Sequence, residues 1–426
     1  MRGAASDGSE VPARGPGLTV ATVGLLAIGA AWVGYQGWRL LLQPLPKGAI
    51  DLKLRFREVA LWFQGEPVYG VRADAVYPPA SYAILRPVLD HGSLPLARWL
   101  WGGLTVLALV ALCRRFAAES GAQGKGARRL AMAVPLALYP VGATIGNGQV
   151  GLLIAVCLLL LLPLLRREER SLGQDGLIAL LMLVALVKPS LAAFFFLVVL
   201  FAKGGLRPAA LTVAGYGLLT WIASLPQRKG PFELLLKWKD RSQAGSIWGA
   251  RFGEGAIIDP AVRPSHLPQV AQERIAEQME RGLVIKSINL HSLVSYFGQP
   301  RYSLHASFVL LGIFTVWLFL RRGASLLTLM GVTAVVTLFA GYHAWYDHVI
   351  LLLALLALLR VAWTQDSRPA AVLGLLLVLF LLAPGGVYAL PVAWSNAYVV
   401  GQTLVFLVAG VFLARHAAAE HAQAQR

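Results

Sequence analysis

Long apolar stretches separated by short polar gaps dominate this chain. They fall near 18–42, 95–113, 129–145, 149–165, 175–188, 189–203, 208–225, 303–320, 323–341, 348–363, 370–387 and 397–414. A helix rises about 1.5 Å per residue and the hydrocarbon core is about 30 Å thick, so most of these runs approach spanning length. The short pair 175–188 and 189–203 reads as half-helices. The pattern predicts an all-α polytopic membrane protein with about twelve transmembrane helices and no internal repeat. The first run is too long for a signal sequence and reads as an uncleaved first span. Two longer polar segments, 43–94 and 226–302, are the places for soluble structure. Within 266–282, Val270, Ile275 and Met279 recur among Glu and Arg at helical spacing, which predicts an amphipathic surface helix.

Charge gives the pattern a direction. One alternate set of short gaps holds Arg114, Arg115, Lys125, Arg128, Arg129, Arg166, Arg167, Arg170, Lys203, Arg207, Arg321, Arg322, Arg360 and Arg368. The opposite gaps 144–149, 341–348 and 387–396 hold no Lys or Arg, and the remaining one holds only Lys188. By the positive-inside rule both termini are cytoplasmic. The organisation is then a tail over 1–17, a membrane domain over 18–414 whose outer loops are 43–94 and 226–302, and a tail over 415–426.

Composition agrees. Of 426 residues 57% are hydrophobic and 14% charged, against about 25% charged in soluble domains. The net charge of +17 would suggest nucleic acid in a soluble protein. Here it sits in the short gaps, where orientation explains it, so no nucleic-acid partner is expected. Cys113 and Cys157 lie in or at the end of apolar runs and make no disulfide framework or thiolate metal site.

Chemistry-bearing residues collect in the outer gaps. Asp51, Arg55 and Glu58, at i, i+4 and i+7, share one side of a helix entered at Asp51. Asp51 suits a base at a membrane boundary, and equally an N-cap. Gly65, Tyr69 and Val76-Tyr77-Pro78-Pro79 form a rigid interfacial turn or part of a binding wall. Asn147-Gly148-Gln149 offers amides to sugar hydroxyls or to a helix end. Lys188, before Pro189, either snorkels to the headgroups or holds an anion such as a lipid phosphate. The turn Gly341-Tyr342-His343-Ala344-Trp345-Tyr346-Asp347-His348 lacks zinc-ligand spacing and suits a phosphate beside a sugar ring better than a metal.

These residues resemble a known family. Asp51-Leu52, Gly65-Glu66-Pro67-Val68-Tyr69, Tyr77-Pro78-Pro79, Gly148-Gln149, Lys188-Pro189, Asn289 to Ser292, and the Trp345 turn leading to His348 are similar, in order, to the family 87 glycosyltransferases. Those are membrane enzymes of the GT-C class, which use a polyprenyl-phosphate sugar, typically mannose. Arg55 stands where the family commonly has an aromatic, and the late turn is not Ser/Pro-rich. The resemblance implies a GT-C-type fold in a bacterial inner membrane, working on the outer face with no metal or other cofactor. Asp51 would be the catalytic base. Arg55, Tyr77, Gln149, Lys188, Asn289, His343, Trp345 and His348 would bind the donor phosphate and substrate. The partners would be membrane lipids, the polyprenyl-phosphate donor and a glycolipid or envelope-glycan acceptor. The competing readings are a polytopic transporter or flippase of lipid-linked sugars, which would bury charges mid-span, and a scaffold without chemistry.

Overall fold

The computed structural model describes residues 16–44, 47–72, 75–252, 257–258, 284–285, 287–297, 302–382 and 390–426. Six of its helices are long and apolar enough to cross a bilayer: α1 (Pro16–Leu41, apolar from Thr19), α5 (Leu94–Glu119), α11 (Leu206–Gln227), α14 (Ser303–Leu320), a 3-10 turn over Trp345–Leu351 continuing into α16 (Leu352–Gln365), and α18 (Val392–Ala424). The pair α6 (Gly124–Ala137) and α7 (Tyr139–Asn147) makes a seventh, bent by 48° where Pro135 and Pro140 interrupt it.

The remaining apolar runs fold as shorter helices: α8 (Gly151–Leu165), α9 (Leu172–Ala185), α10 (Pro189–Phe201), α15 (Leu326–Ala340) and α17 (Arg368–Leu382). The expected count of about twelve spans is therefore met only in its coarser form, a multi-pass helical protein. For α8 and α15 the reason lies in burial. Ile154, Leu158 and Leu161 of α8 and Met330 and Ala334 of α15 are buried in the core. Their apolarity meets other helices rather than lipid, so it sets no spanning length. Apolar residues face outward on the long helices, as at Val20 and Val23 of α1 and Ile313 and Val316 of α14, and also on α9 and α17, as at Leu180 and Leu375.

The segment 43–94 is helical: α2 (Ile50–Phe63), α3 (Val68–Val71) and α4 (Pro79–Leu89). Pro78 is extended and Pro79 opens α4, where a missing N–H costs nothing. Trp62 of α2 stacks on Tyr82 of α4 at 4.4 Å and donates to the Ala223 carbonyl of α11 at 2.7 Å. In the second long segment lie α12 (Pro231–Phe252), a two-residue antiparallel pair of β1 (Ile257–Ile258) with β2 (Val284–Ile285), and α13 (Leu290–Tyr296). The amphipathic helix expected over 266–282 falls outside the described residues.

Arginines of the basic gaps tie helix ends together. Glu119, closing α5, meets Arg115 at 3.1 Å, Arg166 at 2.6 Å and Arg360 at 3.7 Å. Asp175 of α9 is held by Arg170 at 2.9 Å and Arg207 at 3.1 Å. Arg166 caps the C-terminus of α8, whereas Gln149 precedes its N-terminus. Basic cluster and polar turn thus lie at opposite ends of one helix, about 22 Å apart.

Candidate active site

The site begins with how α2 starts. Ala49 adopts the left-handed conformation (φ 49°) and its N–H donates to the Gly146 carbonyl at 3.2 Å, docking α2 onto α7. Ala49 takes the N-cap position with no side-chain cap, so Asp51 is the second helical residue and not the cap. In that first turn the helix dipole favours its charge. Gly148 packs under the same turn with φ 69°, and a Cβ there would lie 2.5 Å from Leu52 Cβ. Only glycine fits both constraints, and it brings Gln149 to the Asp51 carboxyl.

Asp51 opens into a cavity of about 290 Å³, whose wall also includes Arg55, Tyr77, Gln149, Lys188, Ser190, Trp238, Tyr342, Tyr346 and Asp347. Burial pushes the Asp51 carboxyl above the usual carboxylate range. The neighbouring Gln149 amide and the charges of Arg55 and Lys188 pull it back, and Asp347 adds to the rise.

Arg55 lies one turn further along α2. It donates to Glu58 at 2.6 Å, beneath the Tyr77 ring, 4.4 Å from its centroid. The Tyr82 hydroxyl donates to the same Glu58 oxygen at 3.3 Å. Burial works against the guanidinium charge, but Glu58 outweighs it and holds the Arg55 pKa above its ordinary value. Asp51 and Arg55 thus share the cavity face, as their spacing predicts, with Glu58 as the buried anchor.

Lys188 precedes α10, positioned by Ser81, whose hydroxyl donates to the Val187 carbonyl at 2.7 Å. Its ammonium donates to both oxygens of Asp347, at 2.6 and 2.8 Å. Asp347 also accepts from the Ala344 N–H at 3.3 Å and lies 3.4 Å from His343 Nδ1. The Thr144 hydroxyl, 3.2 Å from the Tyr346 carbonyl, ties this late turn to α7. The expected anion at Lys188 is therefore already supplied in part by the protein.

Asp51, Arg55, Tyr77, Gln149 and Lys188 come together, whereas four other expected residues do not line this cavity. His343, Trp345 and His348 line a narrow space of about 40 Å³ with Gln402 and Phe406, on the far side of the Asp347 turn. There the His348 ring meets Phe406 edge-on at 5.4 Å, and its Nδ1 is buried without a partner among the described residues. Asn289 is buried as the N-cap of α13, accepting from the Ser292 N–H at 2.9 Å. The expected donor contacts of these four do not carry over to the Asp51 cavity.

Asp347 is a cavity-lining side chain that the sequence pattern does not single out as a site residue. Its signal was Lys188 itself, a cation set against the charge bias and needing a counter-charge. Trp238, which the sequence marks in the 226–302 segment as a residue to mutate first, lines the cavity, and its Nε1 donates to the Val76 carbonyl at 2.9 Å. Among the described residues no three His, Cys, Asp or Glu side chains form a metal-holding group.

No curated protein and no solved structure matches the chain. A family model does match, from just before the Tyr77-Pro78-Pro79 turn, through Gln149 and Lys188, to just past Trp238; Asp51 and the 341–348 turn lie outside the matched segment. Residues 75–240, which carry much of the cavity wall, match glycosyltransferase family 87, and that family implies a membrane glycosyltransferase.

Proposed function

We propose that this protein moves a hexose, mannose in the first instance, from a polyprenyl-phosphate donor to a lipid-linked or cell-envelope glycan acceptor at the outer face of a bacterial inner membrane. The observation that carries the reading is the 290 Å³ cavity that joins Asp51 to Lys188 and Arg55. It holds one carboxylate suited to act as a base, with positive charge close by, as displacement of a phosphate requires.

In this reading Asp51 takes the proton of the acceptor hydroxyl. The acceptor oxygen attacks the anomeric carbon as its bond to the phosphate oxygen breaks, so configuration inverts and polyprenyl phosphate leaves. An elevated Asp51 pKa favours the proton transfer. The leaving phosphate needs its charge met more than it needs a proton, so cations take the place of a glycosidase's second carboxylate. Lys188 has three N–H donors and gives two to Asp347, which leaves one for a phosphate oxygen. Arg55 is held at the cavity by its ion pair with Glu58, which shares its charge, so it contributes a fixed guanidinium rather than a free cation. No cofactor enters the proposed reaction, and orientation follows the charge bias, with both termini cytoplasmic.

The donor class is tested by giving the purified protein radiolabelled polyprenyl-phosphate mannose, polyprenyl-phosphate glucose and a nucleotide sugar, each with a glycolipid extract as acceptor. Label transferred from a polyprenyl phosphate and not from the nucleotide sugar supports the reading. Transfer from the nucleotide sugar alone, or from none, refutes it.

A further inference from the structure

A second cavity, of about 430 Å³, opens against α12. Leu234, Lys237 and Arg241, at i, i+3 and i+7, line it, while Trp238 and Ser242 line the Asp51 cavity. One helix is therefore a wall of both spaces. The opposite side is built by the Pro67–Gly70 turn and by Gln227 and Lys229, at and just beyond the end of α11.

The lining is strongly cationic. Lys229, Lys237 and Arg241 face one another with Asp240 as the lining carboxylate. Lys237 shares its charge with Glu233 at 2.7 Å. Lys229 feels the same Glu233 carboxylate more weakly, and the neighbouring Lys237 holds its amine below the ordinary value. Arg241 Nε is buried and unpartnered among the described residues. Buried guanidinium nitrogens are ordinarily paired, and two ammoniums held together repel. Glu233 is one carboxylate between two lysines, so a further anion would relieve the repulsion that remains.

The position says how that anion arrives. α11 is apolar enough to span a membrane and ends at Gln227, so the cavity lies at the membrane boundary. Exposed apolar residues flank it, Trp221 and Leu225 on α11 and Phe232 and Leu236 on α12. Cations beside exposed apolar surface are the signature of an interface with anionic lipid.

We infer that the Lys229–Lys237–Arg241 cavity binds the phosphate of an anionic lipid headgroup at the membrane boundary, next to the Asp51 cavity and separated from it by α12. Arg241 supplies planar hydrogen bonding and the lysines supply charge. The inference does not depend on the transfer reaction.

Native mass spectrometry of the full chain in detergent tests it, with phosphatidylglycerol and phosphatidylcholine of equal acyl length as probes. Wild type is expected to retain phosphatidylglycerol over phosphatidylcholine by about tenfold or more, given the attraction of anionic lipid for each nearby Lys or Arg. The preference should vanish in K229Q/K237Q/R241Q and survive in K229R/K237R/R241K. Arg241→Gln alone, expected to weaken retention, covers the case in which the triple variant does not fold. Excess glycerol 3-phosphate separates the sources. Displacement of the lipid shows that the phosphate group suffices, and retention shows that the lipid body contributes; either agrees with the site. Equal retention of both lipids by wild type, or an unchanged preference in both glutamine variants, overturns it.

Discussion

Lys188 and Asp347, 159 positions apart, share two hydrogen bonds of 2.6 and 2.8 Å that join the start of α10 to the turn before α16. Both side chains are largely buried, at 15% and 4% exposure. Removing one partner strands the other charge away from water, at a cost of about 3 kcal/mol, towards the lower end of the range because Lys188 is not wholly enclosed. Lys188→Met and Asp347→Asn should each lower the unfolding midpoint in detergent. The double variant Lys188→Met/Asp347→Leu should recover much of that loss without recovering transfer. Additive losses in the double variant would show that the pair is not coupled.

Asp51 sets function against stability. Burial raises its folded-state pKa, so at neutral pH, where the unfolded chain ionises this carboxyl freely in water, the fold must either bury its charge or hold its proton, and both cost stability. Asp51→Asn should raise the melting temperature at neutral pH. The gain should shrink as pH falls through the raised folded-state pKa and disappear below the ordinary carboxylate value, where the wild-type carboxyl is neutral in both states. Transfer by wild type should instead rise with pH through that same raised pKa. Melting curves and initial rates over a common pH series check both signs.

Gly148 tests the link between the α7–α8 turn and Asp51. Gly148→Ala combines φ 69° with a Cβ 2.5 Å from Leu52 Cβ, so α2 must shift. The expected result is a loss of more than about 1 kcal/mol in stability, with a lower kcat and little change in donor KM. A lowered stability with unchanged kcat would separate the turn from the base.

Asn289 gives the opposite profile. As a helix cap it should cost about 1 kcal/mol on substitution by Ala, with donor KM unaltered. A donor KM raised severalfold would return it to the binding site. Thermal unfolding and a donor titration of Asn289→Ala distinguish the two.

Much of this arrangement is written in local patterns, and what is not has a physical reason. Apolar runs located the helices, but a run does not say whether lipid or protein will cover it; buried α8 and α15 look like spans for that reason. Asp51 and Arg55 shared a face because α2 forms where the spacing says. The choice between cap and cavity turned on Ala49 taking the cap position in a left-handed conformation, which an alanine gives no warning of. Asn289 and Ser292 had the spacing of a cap, and that local role is the one adopted. Asp347 stayed hidden because its partner is remote in the chain, and a local reading pairs charges only with near neighbours. His343 and His348 belong to the same turn as Asp347 but face the narrow cavity behind it.

The central claim is that Asp51 is the base of a sugar transfer carried out in the cavity it shares with Lys188. The most direct measurement is the rate of label transfer from radiolabelled polyprenyl-phosphate mannose to a glycolipid acceptor by wild type and by Asp51→Asn, both checked for folding by their melting curves. The expected result is transfer by wild type and a loss of about a hundredfold or more in the folded variant, the scale of a lost general base. Equal rates in the two proteins would contradict it.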